Sequence, residues 1–242
     1  MNQEGIDKAL SVLNRYRRIL EDWGVSDVRG FITEPGRNIE NQQELLEAFR
    51  SAGFEIEPLS GEQEAAFDFY GSRLDTDDIR RGVAFDIGGG STEIVAFDAD
   101  SPDGLIHALT SMPVGCVRLK DYPLTREVPL GMIQNTLKEM PQLLDTAGPV
   151  IIGSGGTVRA VRLMYEELYP FPITKGCLED MFERLKAREE AVVEVLHRIV
   201  TPDRRDVILP GLNMVLALME AFSADELRGS MYGVREGYLL YR

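Results

Sequence analysis

Residues 82–100 read GVAFDIGGGSTEIVAFDAD, two apolar runs separated by three consecutive glycines. The runs VAFDI and EIVAF are rich in β-branched and aromatic residues, which predicts two strands joined by a tight turn. Glycines at 88–90 reach backbone conformations that other residues avoid, and they present N–H groups without a Cβ in the way. The stretch therefore predicts a hairpin whose turn suits a phosphate group.

The residues around the glycines exclude two commoner phosphate-binding loops. No Gly-Lys-Ser/Thr sequence ends this loop, and EIVAF is typical of a strand, whereas a Walker or Rossmann loop continues into a helix. Strand, loop and strand in succession are the arrangement of the actin/hexokinase-like fold. Asp86 and Glu93 stand on either side of the turn and are candidate ligands for Mg²⁺ and its waters. A plain hairpin turn with solvated acids is the alternative.

A second glycine turn, GSGGT at residues 153–157, leaves an apolar run and enters a helical pattern. The N–H groups at a helix N-terminus favour an anion, so Gly155, Gly156 and Thr157 are candidate phosphate-binding residues. The same residues would serve equally well to begin a helix that binds nothing.

Helical and extended patterns alternate along the chain, which predicts an α/β protein. Residues 5–23 have apolar side chains at helical spacing, and DVRGFIT and FEIEPL read as strands with a helix between them. The charged stretch LDTDDIRRG separates two apolar units. We therefore expect a lobe junction near residue 79, with a first lobe at 1–79 and a second at 80–242.

The composition limits which partners and which cellular compartment we expect for this protein. The 242 residues include 40 Asp and Glu against 26 Lys and Arg, a net charge of −14, which argues against nucleic acid. A local pocket with backbone N–H groups and a divalent cation can still hold a phosphorylated substrate. Two cysteines predict no disulfide framework. Without a long apolar run or a secretory signal pattern, we expect a cytoplasmic protein with no membrane partner.

Several stretches occur in one order and together resemble the Ppx/GppA phosphatases, the family of exopolyphosphatases and guanosine-pentaphosphate phosphatases. They are VAFDIGGGSTEIVAF, MPVGCVRL, IIGSGGTVRAV, ILPGLNMVLALMEAFSADELRGS and VREGYLL. Upstream, TEPGRNIENQQELL and FEIEPLSGEQEA look like two further segments of the family. The resemblance covers essentially the whole chain.

The resemblance implies two ribonuclease-H-like lobes, Mg²⁺ at the bottom of a cleft, and hydrolysis of a terminal phosphoanhydride. Carried over by position, it makes Glu64 the general base and Arg37 a phosphate contact. It assigns the metal and its waters to Asp86 and Glu93, and the second phosphate loop to Gly88, Gly89, Gly90 and Ser91. It implies inorganic polyphosphate or guanosine pentaphosphate as the substrate, and it is compatible with a homodimer. By themselves, Glu64 and Arg37 would be interpreted as solvated surface charges.

The family's opening phosphate loop, of the Asp-x-Gly-Ser-Asn-Ser type, has no equivalent in these 242 residues. We therefore expect an N-terminally truncated, incomplete first lobe that lacks one metal-binding aspartate and leaves strand edges unpaired. Three functions stay open: a Mg²⁺-dependent phosphohydrolase, a non-catalytic phosphate- or nucleotide-binding regulator or inactive fragment, and a sugar or acetate kinase.

Overall fold

The computed structural model describes residues 2–241. The chain divides into two compact units, Met1–Gly61 and Glu62–Arg242. Within the described residues, no helix is both long enough and apolar enough to cross a membrane.

The first unit combines helices with a two-stranded parallel sheet. Its elements are α1 (Gln3–Asp22), β1 (Gly30–Ile32), α2 (Glu34–Arg37), α3 (Gln42–Ser51) and β2 (Ile56–Pro58). Helix α1 begins after Asn2, whose side chain accepts a hydrogen bond from the backbone N–H of Gly5 at 3.0 Å. Ile6 of α1 packs on Leu45 and Phe49 of α3, so the apolar stripe of the first helix supplies the core of this unit.

The second unit contains the larger sheet. Its strands are β3 (Arg81–Ile87), β4 (Thr92–Asp98), β5 (Ile106–Met112), β6 (Val150–Ser154), β7 (Ile173–Thr174) and β8 (Glu226–Gly229). Its helices are α4 (Gly61–Ser72), α5 (Glu127–Glu139), α6 (Gly155–Leu168), α7 (Lys175–Lys186), α8 (Glu190–Ile199), α9 (Arg205–Ala221) and α10 (Val234–Tyr241). Short 3₁₀ turns lie at Arg118–Asp121, Pro141–Leu144 and Pro202–Arg204.

The strand order of this sheet is β5-β4-β3-β6-β8-β7. Strands β5, β4 and β3 form an antiparallel meander, and β6 and β8 then continue the sheet parallel to β3. This is the ribonuclease-H-like order, with β7 added antiparallel at the edge. The hairpin predicted at residues 82–98 is confirmed as β3 and β4.

The unit boundary lies after Gly61, whereas the charged stretch led us to expect a junction near residue 79. Helix α4 belongs to the second unit because Ala65 and Phe69 pack against apolar side chains of its sheet. The charged stretch is a turn tied to the end of this helix. Arg73 donates hydrogen bonds to the carbonyls of Thr76 and Ile79, both at 2.6 Å.

Both faces of the large sheet are covered. Successive residues of a strand project to opposite faces. Val83 and Phe85 therefore enter the main core formed with α5 to α9, while Ala84 of the same strand faces α4. Asp86 lies two residues after Ala84, so its carboxylate projects on the α4 face.

Two neighbouring leucines of one 3₁₀ turn test this packing. Leu143 is 0% exposed in the main core, and Leu144 is 43% exposed. We expect Leu143→Ala to lower the free energy of unfolding by about 2–5 kcal/mol, because it leaves a cavity in the core. The matched Leu144→Ala variant should change it by less than about 0.5 kcal/mol. Denaturant titration measures both, and equal losses would contradict the placement of this turn.

Candidate active site

Four polar side chains form a row across the central strands of the large sheet. Backbone pairing sets Glu93 of β4 opposite both Asp86 of β3 and Ser111 of β5. It also sets Asp86 opposite Ser154, the last residue of β6. Directly paired residues of neighbouring strands project from the same face, so all four lie on the face that α4 covers. The structure thus brings together the two acids that the sequence proposed as metal ligands.

Helix α4 adds two carboxylates to this row. Glu64 and Asp68 are four residues apart and lie on one side of the helix. They are only 6% and 3% exposed, respectively, and Asp68 Oδ2 accepts a hydrogen bond from Ser154 Oγ. We call Glu64, Asp68, Asp86 and Glu93 the carboxylate cluster.

Burial and mutual repulsion oppose full ionisation of Asp68, Asp86 and Glu93. Removal from water is the largest cause that raises the pKa of Asp68 to about 7 and the pKa of Glu93 to about 8. Removal from water also raises the pKa of Asp86 well above its usual range, and repulsion from Asp68 and Glu64 adds to it. A hydrogen bond from Ser111 Oγ to Glu93 Oε1, 2.6 Å long, acts in the opposite direction. A bound cation would favour the charged forms of these acids.

Two oxygens of the carboxylate cluster are suited to such a cation. Asp86 Oδ1 and Glu93 Oε2 are buried and have no hydrogen-bond partner within residues 2–241. Hard oxygen ligands suit Mg²⁺, which commonly takes one or two carboxylates and completes its shell with phosphate oxygens and water. The described residues contain no group of three His, Cys, Asp or Glu side chains placed for a metal. Two carboxylates, from Asp86 and Glu93, would leave most of the shell of such a cation to water and substrate.

The first glycine turn is held in place by backbone hydrogen bonds. The N–H of Gly88 donates to Ser91 O, and the N–H of Cys116 donates to Gly88 O, both at 3.0 Å. The N–H groups of Gly89 and Gly90 donate to no acceptor in the described part of the chain. This turn can therefore offer two N–H donors to an anion.

Glycine is required where this turn and the second turn approach their neighbours. A Cβ on Gly115 would lie 2.4 Å from Gly88 O. Gly155 has φ +80°, and a Cβ there would lie 1.7 Å from Asp86 Oδ1. The second turn thus passes directly against the carboxylate that stands at the end of β3.

The second turn forms the N-terminus of α6, and a helix N-terminus attracts anions. Thr157 is 0% exposed, and its Oγ1 has no hydrogen-bond partner among residues 2–241. The guanidinium of Arg204 lies over Gly156, where a Cβ would be 2.5 Å from Nη2. N–H groups at a helix N-terminus, a hydroxyl and a guanidinium are together typical of a phosphate site.

Arg37 belongs to the first unit. It ends α2, and its Nη1 donates to the carbonyl of Leu59 at 2.6 Å. Its backbone carbonyl accepts from Gln42 Nε2 at 2.8 Å. The assignment of Arg37 as a phosphate contact stays a prediction.

Sequence reasoning missed Asp68 and Arg204. The available signal for Asp68 was an acid within the apolar run AAFDFY, one turn after Glu64. Arg204 had no comparable signal, because it is one of several charges in PDRRD and lies far along the chain from Gly156.

A substitution at Gly155 tests the close approach to Asp86. We expect Gly155→Ala to lower the free energy of unfolding by on the order of 1–3 kcal/mol from backbone strain, and further because the added methyl collides with Asp86. Gly176→Ala is the matched control, because nothing lies within 4 Å of a Cβ at that helical position. The control should be neutral or stabilising by up to about 1 kcal/mol. Equal thermal denaturation of the two variants would contradict the geometry.

Comparison with known proteins gives a consistent result. The sequence model of the Ppx/GppA phosphatase family matches residues 1–242. A guanosine-5'-triphosphate,3'-diphosphate pyrophosphatase of Vibrio atlanticus is 27% identical over 248 residues, which cover 98% of this chain and 49% of the relative. The chain spans about half the length of the first curated relatives that it matches.

Two solved structures share the fold. The PPX-GPPA enzyme of Aquifex aeolicus superimposes with a TM-score of 0.74 at 26% identity, covering all of this chain and 84% of that one. An exopolyphosphatase of Cytophaga hutchinsonii gives a TM-score of 0.80 at 21% identity, covering 99% and 82% respectively. The latter supports the fold alone.

Proposed function

Because this chain belongs to the Ppx/GppA phosphatase family, we propose that it hydrolyses the terminal phosphoanhydride bond of inorganic polyphosphate or guanosine pentaphosphate. The observation that carries the proposal is the buried carboxylate cluster, with unpartnered oxygens on Asp86 and Glu93, beside two glycine turns. The name of the Vibrio atlanticus relative supports a phosphoanhydride substrate. Both substrates present a terminal phosphate of the same chemistry.

The two glycine turns would bind the substrate phosphates. The Gly88–Ser91 turn offers the N–H groups of Gly89 and Gly90. The Gly155–Thr157 turn offers the start of α6, with the guanidinium of Arg204 beside it. Backbone donors and a guanidinium stabilise the charge of a phosphoryl group while it transfers. Arg37 would add a further phosphate contact.

Asp86 and Glu93 would hold Mg²⁺. When bound, this ion would neutralise phosphate oxygens and stabilise the charge that develops during transfer. Burial is the main cause that raises the pKa values of both carboxylates, so a bound cation would stabilise their charged forms.

Glu64 would act as the general base. Its carboxylate takes a proton from water while the water oxygen attacks the terminal phosphorus. The bond from phosphorus to the bridging oxygen breaks, and the shortened chain leaves with the electron pair. Inorganic phosphate is the second product. A positioned base of this kind contributes about 10²- to 10⁴-fold to the rate.

The role of Glu64 can be tested against a neighbouring acid. We expect Glu64→Gln to lower kcat for phosphate release by about 10²- to 10⁴-fold, because the amide cannot accept the proton. Glu62→Gln is the matched control, since Glu62 lies on the first turn of the same helix and is exposed. Its kcat should stay within about twofold of the unmodified chain. Retained turnover in Glu64→Gln would rule out this base.

Wild-type protein that binds polyphosphate saturably but releases no phosphate would overturn the enzymatic proposal. That result would favour the non-catalytic binder. Homodimer formation and a cytoplasmic location stay predictions.

The metal proposal has a readout that does not need turnover. At a Mg²⁺ concentration near 100 times its Kd, a bound ion should stabilise the fold by about 2.7 kcal/mol. We expect Mg²⁺ to raise the Tm of the wild-type chain and to have little effect on Asp86→Asn, which has lost a charged ligand. Asp103→Asn, a change at an exposed loop position, should respond like the wild type. Equal Mg²⁺ responses in all three would place the ion elsewhere.

A further inference from the structure

Asp68 is the one member of the carboxylate cluster without a part in the proposed mechanism. We propose that Asp68 is a positioning residue, which holds the turn of α4 that carries Glu64 against the end of β6 and the start of α10. We call the contacts of Asp68 with these elements the tether. The effect of the tether on catalysis rests on the proposed function, whereas the tether itself does not.

The first connection of Asp68 is to β6. Ser154 Oγ lies against Asp68 Oδ2 and is also 3.1 Å from the carbonyl oxygen of Phe85. A hydroxyl has one hydrogen, so it donates fully to one of these two acceptors. Both contacts are made in full when Asp68 donates to Ser154 and Ser154 donates to Phe85. In either arrangement Asp68 is joined to the residue that precedes the second glycine turn.

The second connection is to the start of α10. A Cβ on Gly233 would lie 2.7 Å from Asp68 Oδ1, so glycine lets the chain pass directly over the carboxylate. The nearby backbone of Val234 opposes the rise in the pKa of Asp68, but Asp68 Oδ1 makes no hydrogen bond within the described residues.

Helices α4 and α10 approach to backbone contact on both sides of this point. A Cβ on Gly71 would lie 1.9 Å from Gly233 O, and one on Gly237 would lie 1.7 Å from Phe67 O. Asp68 therefore lies where three elements meet.

Stability alone does not explain a carboxylate at this position. Apolar side chains lie beside Asp68 on this helix, because Ala65 and Phe69 pack on the sheet. Replacing a buried charged group by an apolar residue of similar size is often neutral or stabilising. The oriented hydrogen bond with Ser154 is what an apolar side chain would lose. This bond ties α4 to the end of β6, and Glu64 lies one turn away on the same side of the helix.

Small errors in the placement of a catalytic group have large effects on rate. A displacement of about 1 Å can lower a rate about 100-fold. Loosening of α4 should therefore lower kcat, while the glycine turns that would bind the phosphates stay intact and KM changes little.

Four variants separate the tether from other roles. Asp68→Asn keeps the shape and can accept from, or donate to, Ser154, whereas Asp68→Leu keeps the size and loses both options. Ser154→Ala removes the partner without changing α4. Thr146→Val is the matched control, because it removes one buried hydrogen bond, 2.7 Å long, at Gly82, the opposite end of β3.

We expect kcat for phosphate release from short-chain polyphosphate to fall on the order of 10- to 100-fold in Asp68→Leu and Ser154→Ala. KM should stay within about threefold of the wild type. Asp68→Asn and Thr146→Val should keep kcat within about threefold. A kcat near the wild-type value in both Asp68→Leu and Ser154→Ala would overturn the proposal. An Asp68→Asn variant as slow as Asp68→Leu would also overturn it, because charge and not the tether would then matter.

Amide hydrogen exchange measures the tether without turnover. Exchange of the N–H groups of residues 64–68 and 154–157 should be at least about tenfold faster in Asp68→Leu than in Asp68→Asn, while the buried helix α9 is unchanged. Equal exchange in the two variants would overturn the proposal. If the wild-type chain shows no turnover, the proposed function fails, and the exchange comparison still decides whether Asp68 positions α4. If Asp68→Leu does not fold, Ser154→Ala takes its place in both measurements.

Discussion

The pairing of Asp86 with its neighbours on β4 and β6 is the constraint on which the second unit depends. β3 is the central strand, antiparallel to β4 and parallel to β6, so one residue of it faces Glu93 on one side and Ser154 on the other. Both glycine turns begin at this end of the sheet. The second turn must pass within contact distance of Asp86, which only glycine permits. Strand register therefore places acids and anion-binding backbone within the same few ångströms.

That placement has an energetic cost. Two acids of the sheet and two acids of the helix that covers it lose hydration and repel one another, which is why the pKa values of Asp68, Asp86 and Glu93 are raised. Hydrogen bonds from Ser111 and Ser154 offset part of this, but one oxygen each of Asp68, Asp86 and Glu93 keeps no partner among the described residues. Buried polar groups without partners are uncommon in folded proteins and accumulate at functional sites. The cost is understandable if the cluster meets its substrate together with a cation.

Sequence patterns revealed those parts of the site that depend on local structure. Three glycines between two β-rich runs define the hairpin, and its register alone sets Asp86 opposite Glu93. The GSGGT turn could be predicted from the sequence for the same reason, because a strand ends and a helix begins there. The function assigned to Glu64 came from the family resemblance, because an acid on a helix has no local mark of burial.

The residues that sequence reasoning missed depend on tertiary packing. Asp68 is buried only because α4 lies on the large sheet, and Arg204 meets Gly156 across a separation of 48 residues. The unit boundary differs from the expected junction for the same reason. Charge and lack of pattern suggested a linker after α4, whereas the packing of Ala65 and Phe69 joins that helix to the large sheet of the second unit.

The central claim is that the unpartnered oxygens of Asp86 and Glu93 bind a cation together with phosphate. A crystal structure of the chain grown with Mn²⁺ and pyrophosphate, with anomalous scattering recorded for manganese, would measure this. The expected result is an anomalous peak bound by Asp86 and Glu93, with pyrophosphate seated on the Gly88–Ser91 turn. Pyrophosphate and manganese bound elsewhere, with both carboxylates unchanged, would contradict the claim.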